Sequence, residues 1–115
     1  MNSYTTIEQS EKLLELGFNP NTADMFYIFD PFVGDIGGIG IGKPEEVKDV
    51  PCWSLGALIS LMPEMTMIVR DATTKHASYF VDFGPDIHVT QYYDTAIEAV
   101  FDAICWLLEN NFIKE

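Results

Sequence analysis

Basic residues are scarce in this chain, and their scarcity excludes several classes of partner. Lys and Arg number 6 together against 18 Asp and Glu, so the 115-residue chain carries a formal net charge of -12. So strong a negative charge repels phosphate groups, and the sequence therefore predicts binding neither to nucleic acid nor to anionic membrane surfaces. It permits basic protein partners, whose approach the opposite charge would accelerate. Because the acids are scattered rather than clustered, the simpler interpretation is that they keep the domain soluble.

The residues that carry nucleophilic or metal chemistry are also few. The chain has two cysteines, Cys52 and Cys105, and two histidines, His76 and His88. They form no CxxC or HxxxH pair, which argues against a zinc site, and two cysteines are too few for a disulfide framework. Cys52 precedes a predicted helix start, and that position lowers the pKa of a thiol. An enzyme that uses Cys52, His88 and nearby acids in one pocket is therefore an alternative. The whole pattern predicts no catalytic residue, no metal and no cofactor.

Long apolar segments are missing as well. No run approaches the length that crosses a bilayer, and the first residues lack the basic and apolar regions of a signal peptide. We therefore expect a cytoplasmic protein. Hydrophobic residues nevertheless make up 48% of the chain, which is enough for a core, and the length suits one domain over residues 1–115.

The order of elements predicts an α+β fold, a three- to four-stranded antiparallel sheet packed by helices in the order α-β-α-β-β-β-α. The first helix opens with a capping box, either Thr5 with Glu8 or Thr6 with Gln9, and ends at Gly17. A second helix, capped by Ser54, is apolar on nearly every side, which predicts burial on more than one face. The predicted strands are Met25–Phe29, Met65–Asp71, Ala77–Phe83 and His88–Tyr93; the predicted helices after the first are Leu55–Met62 and a long C-terminal helix capped by Asp94 or Thr95.

A glycine-rich segment at about 32–50 lacks any period and predicts a flexible loop. Within it, Gly37–Lys43 matches the GxxxxGK part of a phosphate-binding loop, but residue 44 is Pro where a Ser or Thr is needed. We therefore expect no nucleotide site. The segment from Ser54 to Phe112 also has the element order of double-stranded-RNA-binding domains, yet its last helix opens with acids, which argues against RNA binding.

Two surfaces are candidates for partner binding. Alternation along the strands places Met67 and Val69 on the inner face with Tyr79, Val81 and Phe83, and predicts an unusually apolar outer face. For the strand at 88–93 the inner set is either His88, Thr90 and Tyr92 or Val89, Gln91 and Tyr93. The last helix has an apolar face (Ile97, Val100, Phe101, Ile104, Leu107, Leu108) and an opposite stripe of Glu98, Asp102, Cys105 and Glu109. The candidate partner-binding residues are Ile68, Arg70, Phe80 and Asp82 on the outer sheet face, and Glu98, Asp102 and Glu109 on the helix.

Three phrases of the sequence carry a resemblance. TIEQSEKLLELGFNPNTADMFYI, PCWSLGALISLMP and DTAIEAVFDAICWLLENNFI together cover about half of the chain. They resemble a family of small acidic proteins from gut anaerobic bacteria and their phages or mobile elements. The resemblance implies an origin of that kind, but no activity, cofactor or catalytic residue comes with it, and Gly34–Gly42 lies outside it.

The sequence is most compatible with a non-enzymatic protein-binding or accessory protein whose partner is another protein or a second copy of itself. One alternative is a self-associating structural module, suggested by the wide apolar faces of the second and last helices. The other is a small enzyme with a Cys/His/acid pocket.

Overall fold

The computed structural model describes residues 3–43, 49–63, 66–71, 78–83 and 90–110. It confirms the α+β fold with a long C-terminal helix, and the antiparallel strands of the described part are divided between two sheets. His76 and His88 lie outside the described residues, as do residues 44–48. The elements are α1 (Ile7–Glu15), β1 (Met25–Asp30), β2 (Asp35–Ile41), β3 (Val50–Cys52), α2 (Leu55–Ser60), β4 (Met67–Asp71), β5 (Ser78–Asp82) and α3 (Ala96–Glu109), with a short 3-10 helix at Pro20–Thr22.

Helix α1 is bounded by two local signals in the sequence. The Thr6 hydroxyl accepts the Gln9 N–H at 3.1 Å, and the Gln9 side chain accepts the Thr6 N–H at 2.9 Å. This capping box confirms the second of the two predicted pairs. At the other end Gly17 has φ 92°, and the N–H groups of Gly17 and Phe18 donate to the carbonyls of Leu14 and Leu13. That pattern is a Schellman motif, and the predicted glycine stop is confirmed.

The other two helices also begin at predicted caps. The Ser54 hydroxyl accepts the Ala57 N–H at the start of α2, and the Thr95 hydroxyl accepts the Glu98 N–H at the start of α3. The predicted burial of α2 on several faces is wrong. Leu58 is fully buried, but Ile59 and Ser60 are exposed, because α2 packs against α3 along one side only.

The glycine-rich segment contains β2 and the first residue of β3, so the predicted loop at 32–50 is wrong for those residues. β2 pairs with β1 in an antiparallel hairpin, and β3 pairs with the other edge of β1. A bulge interrupts the β1–β2 register after Ile28. Gly40 lies opposite Phe26, and a Cβ built on Gly40 would lie 2.7 Å from the Phe26 ring. The absent side chain therefore makes room for that ring across β2.

The first sheet has the order β2-β1-β3. Beyond β3, the Thr5 N–H donates to the Trp53 carbonyl and the Leu55 N–H donates to the Ser3 carbonyl. The chain segment before α1 therefore pairs with residues 53–55, which directly follow β3. The opposite edge of this sheet is β2.

The second sheet pairs β4 with β5, and its register corrects the predicted faces. Ile68 lies opposite Val81, and Arg70 lies opposite Tyr79. Opposite residues of an antiparallel pair share a face, so Ile68 and Arg70 belong with Val81, the face that packs on the core. The predicted phase of β4 was one residue off, because three apolar residues in succession give no alternation from which to choose.

Residues 90–93 continue this second sheet irregularly. Tyr93 and Tyr79 exchange both backbone hydrogen bonds, at 2.7 and 2.8 Å, and the Thr90 N–H donates to the Val81 carbonyl at 2.9 Å. Thr90 is buried and Tyr93 packs against the core, whereas Gln91 and Tyr92 are exposed. Neither predicted alternating set is observed, because two residues bulge outward between the paired positions.

Helix α3 lies at the centre of the core. It contacts α2, β4 and β5, and it is buried over a wider arc than the predicted apolar face. Of that predicted face, all but Phe101 are buried, and Phe101 is half-buried. The buried residues of α3 are Ile97, Ala99, Val100, Ala103, Ile104, Cys105, Leu107 and Leu108.

Candidate functional site

The predicted outer-face residues do not form one surface. Ile68 packs against the core on the inner face, so its prediction as an outward contact is wrong. Arg70 is exposed but belongs to the same face as Ile68. Phe80 and Asp82 lie on the opposite face, as predicted, where Val69 and Met67 are their partners across the strands.

The predicted acidic stripe of α3 is likewise divided. Glu98 accepts the Thr95 hydroxyl at 2.8 Å, and Asp102 accepts the Tyr93 hydroxyl at 2.8 Å. Cys105 is buried, so it does not belong to a solvent-facing stripe; burial, followed by the nearby Glu109 and Asp102 carboxylates, raises its pKa to about 12. Glu109 is exposed. Two of the three predicted acids therefore already have structural roles within the domain.

The face of β4–β5 turned away from α3 carries a cluster of apolar groups. The Phe80 and Tyr92 rings lie in contact, with centroids 4.9 Å apart, and Met67 and Tyr92 are 55% and 59% exposed. We call this the outer hairpin face and define it as Met67, Val69, Phe80, Asp82 and Tyr92. The sequence placed Phe80 on the outer face but could not identify Tyr92, because the bulge at 91–92 decides which residues point outward.

A buried polar cluster surrounds Cys52. The Thr5 carbonyl accepts the Tyr27 hydroxyl at 2.6 Å and the Cys52 thiol at 3.4 Å. The Thr5 hydroxyl accepts the Trp53 N–H at 3.1 Å and lies 2.7 Å from the Ser10 hydroxyl. Within the described residues, no buried side-chain polar atom lacks a hydrogen bond. The cluster is thus a satisfied network that fastens the segment before α1 to β1 and β3.

This environment makes Cys52 a poor nucleophile. The residue is fully buried and lies in β3, two positions before the α2 cap Ser54. Burial raises the pKa of its thiol, although hydrogen bonds from Thr5 and Tyr27 oppose that shift. Burial also raises the pKa of the Tyr27 hydroxyl. A thiol that stays protonated at neutral pH and has no access to solvent is unreactive. The predicted partner His88 lies outside the described residues.

The GxxxxGK match lies on β2 and has none of the geometry of a phosphate-binding loop. Residues 38–41 are extended and paired with β1, so their N–H groups do not converge on one point. The Lys43 ammonium donates to the Asn21 carbonyl. This geometry agrees with the expectation that the segment is not a nucleotide site.

A small cleft lies where the first turns of α1 and α3 meet. It has a volume of about 200 Å³ and is lined by Thr6, Gln9, Thr95, Ile97 and Glu98. Four of these side chains are the capping residues of the two helices, and their hydrogen bonds are made within each cap. The cleft therefore presents groups that are already paired.

Metal-ligand chemistry has no centre in the part of the chain that the structure describes. No three His, Cys, Asp or Glu side chains there are grouped so as to hold a metal ion. Among the described helices, none has the length and apolarity needed to cross a membrane. Comparisons with protein-family models, with curated proteins and with solved structures found no match.

Proposed function

We propose that this chain is a non-enzymatic protein-binding module that binds a basic segment of a partner protein on the outer hairpin face. The observation that carries the proposal is the contact between the Phe80 and Tyr92 rings. The side chains of Met67 and Tyr92 on this face are more than half exposed. Exposed aromatic and methionine side chains in one cluster are typical of protein interfaces.

The chemistry of this face favours a Lys or Arg side chain of the partner. Aromatic faces attract cations, and two aromatic rings, those of Phe80 and Tyr92, lie in contact on this face. The net charge of -12 would accelerate the approach of a basic partner and would repel acidic ones. The same charge argues against nucleic acid and anionic membranes as partners.

The cellular setting belongs to the proposal as well. The resemblance to small acidic proteins of gut anaerobes and their phages or mobile elements supports an accessory role in such a host. Two cysteines, both free and buried, suit a reducing compartment, so we propose that the protein acts in the cytoplasm.

The proposal is tested by affinity capture from a lysate of a gut anaerobe, with the wild type compared with a Met67→Ala/Tyr92→Ala variant. Both substituted side chains are more than half exposed, so the fold should survive. We expect the wild type to capture a Lys- or Arg-rich protein. The captured amount should be at least about tenfold lower with the double variant, and it should decrease as the salt concentration is raised.

The matched control is Phe32→Ala, which removes a fully exposed aromatic ring from a different surface (99% exposed). It should capture the same partner as the wild type. The proposal fails if the double variant retains the partner at wild-type level, or if Phe32→Ala loses it equally. It also fails if the captured partner is acidic or a nucleic acid.

A further inference from the structure

Strand β2 is an edge strand of the first sheet. The sheet order is β2-β1-β3, and residues 3–5 pair with residues 53–55 beyond the end of β3. No described strand pairs with the outer side of β2. The Gly42 N–H donates to the Asp24 carbonyl across the hairpin. Because bonding alternates along an antiparallel strand, the backbone groups of Ile39 and Ile41 point away from β1.

The side chains of this edge are apolar and exposed. Ile36, Ile39 and Ile41 lie opposite Phe29, Tyr27 and Met25, so the bulge leaves all three isoleucines on one face. Ile41 is 89% exposed, and Phe32 in the preceding turn is exposed throughout. Natural edge strands are usually protected by charges, by proline or by a covering segment. β2 has no charged residue or proline between Asp35 and Lys43.

The distribution of charge identifies the occupant of this edge. Residues 25–43 contain two acids, Asp30 and Asp35, and one base, Lys43, which gives a net charge of -1. The rest of the chain contains the other 16 acids and 5 bases, a net charge of -11. A basic peptide would be drawn to the rest of the molecule, whereas this hairpin is where two acidic copies approach each other with the least repulsion.

We infer that β2 pairs with β2 of a second copy, antiparallel about a two-fold axis, to form a continuous six-stranded sheet from the two β2-β1-β3 sheets. Such pairing satisfies the outward backbone groups of Ile39 and Ile41 in both copies. It joins the exposed isoleucines into one apolar face. Antiparallel alignment also brings Asp35 at the start of one β2 near Lys43, which follows the end of the other β2. This surface is separate from the outer hairpin face, so the dimer and the binding of a partner are independent.

The oligomeric state tests this inference. We expect light scattering with size-exclusion chromatography to give twice the 13.0 kDa chain mass at about 100 µM, with dissociation toward the monomer near about 1 µM, as for a modest interface. Ile41→Lys places a charge on the most exposed apolar side chain of the edge. It should raise the dissociation constant of the dimer at least about tenfold.

A second variant, Ile39→Pro, removes an outward N–H and therefore tests the backbone pairing itself. This variant should be monomeric and should keep the circular dichroism spectrum of the wild type. If it fails to fold, the dissociation constant of Ile41→Lys and the amide exchange of the wild type test the inference instead. In the dimer the Ile39 and Ile41 amides should exchange more slowly as concentration rises. Met67→Lys, an equally drastic change on the outer hairpin face, should remain dimeric.

A wild type that is monomeric at about 100 µM would overturn the inference. So would a dimer that tolerates Ile41→Lys, or one that Met67→Lys disrupts to the same extent. A dimer whose Ile39 and Ile41 amides exchange at the same rate at every concentration would mean that the copies associate by another surface.

Discussion

Thr5 makes more long-range hydrogen bonds than its position in an irregular segment would lead one to expect. Its backbone and side chain together contact Tyr27, Cys52 and Trp53, and its hydroxyl also meets Ser10. Both Thr5 and Ser10 are fully buried. The sequence offered Thr5 as one of two helix caps, and the neighbouring Thr6 has that role. Burial of a threonine among partners distant in sequence has no local signal, so this part of the structure could not be predicted.

Replacing Thr5 by Val keeps the shape of the side chain and removes the hydroxyl. The Trp53 N–H and the Ser10 hydroxyl would then lose a buried partner, and an unpaired buried polar group costs about 1–3 kcal/mol. We expect the free energy of unfolding, measured by urea denaturation, to fall by that amount.

Thr66→Val is the matched control, because the Thr66 hydroxyl donates to the Pro63 carbonyl at the surface. Its effect should stay within about 0.5 kcal/mol. Equal effects of the two substitutions would mean that the buried cluster contributes nothing beyond an ordinary surface hydrogen bond.

At the scale of elements, the sequence predicted the features that depend on residues close together in the chain. The capping box at Thr6 and the cap at Thr95 each join residues three apart in sequence, and both caps were predicted from the sequence. β2 was missed because three of its seven residues are glycines, which are uncommon in strands, and because the bulge breaks its alternation. The inward and outward faces of β4 were assigned wrongly because Met67, Ile68 and Val69 are all apolar. For the candidate surface, Phe80 was predicted and Tyr92 was not, since its exposure depends on an irregular pairing with β5.

Two glycines of β2 provide a test of how its pairing with β1 is achieved. A Cβ at Gly40 would lie 2.7 Å from the Phe26 ring, whereas a Cβ at Gly38 has its nearest neighbour, Ile28 Cδ1, at 4.0 Å. Gly40→Ala forces the buried ring to move, and overpacking of this kind costs about 1–3 kcal/mol.

Gly38→Ala should be neutral or slightly stabilising, because alanine loses less backbone entropy on folding than glycine. Urea denaturation of both variants at one protein concentration measures the difference. Equal stabilities would show that the Phe26 ring does not depend on the space above Gly40.

On the scale of the whole molecule, the net charge is distributed unevenly along the chain. The hairpin formed by β1 and β2 is nearly neutral, while the remaining residues carry a net charge of -11. Mutual repulsion among like charges opposes the compact state. Among the described residues, the one salt bridge joins Lys12 and Glu15 at 4.0 Å. Such an exposed pair contributes little to stability.

Screening should therefore stabilise this protein. Raising NaCl from about 0.01 M to about 0.1 M shortens the screening length from roughly 30 Å to roughly 10 Å. We expect the free energy of unfolding to rise over this range, as measured by thermal and urea denaturation.

The double variant Glu11→Gln/Glu109→Gln is the comparison, since both glutamates are exposed and their removal reduces the net charge by two. It should be less sensitive to salt than the wild type. Stability that is unchanged or lowered by salt would mean that the scattered acids do not repel one another appreciably.

The pairing of residues 3–5 with residues 53–55 has a consequence for how the chain folds during synthesis. Thr5 and Trp53, which are joined by backbone and side-chain hydrogen bonds, are 48 residues apart in sequence. A ribosome adds about 5–20 residues per second, so residues 3–5 wait roughly 2–10 s for the residues they pair with to be made. During that interval the contacts of α1 with β3 cannot form. Residues 3–5 therefore reach their place only after residue 53 has been made, although they precede every described helix and strand.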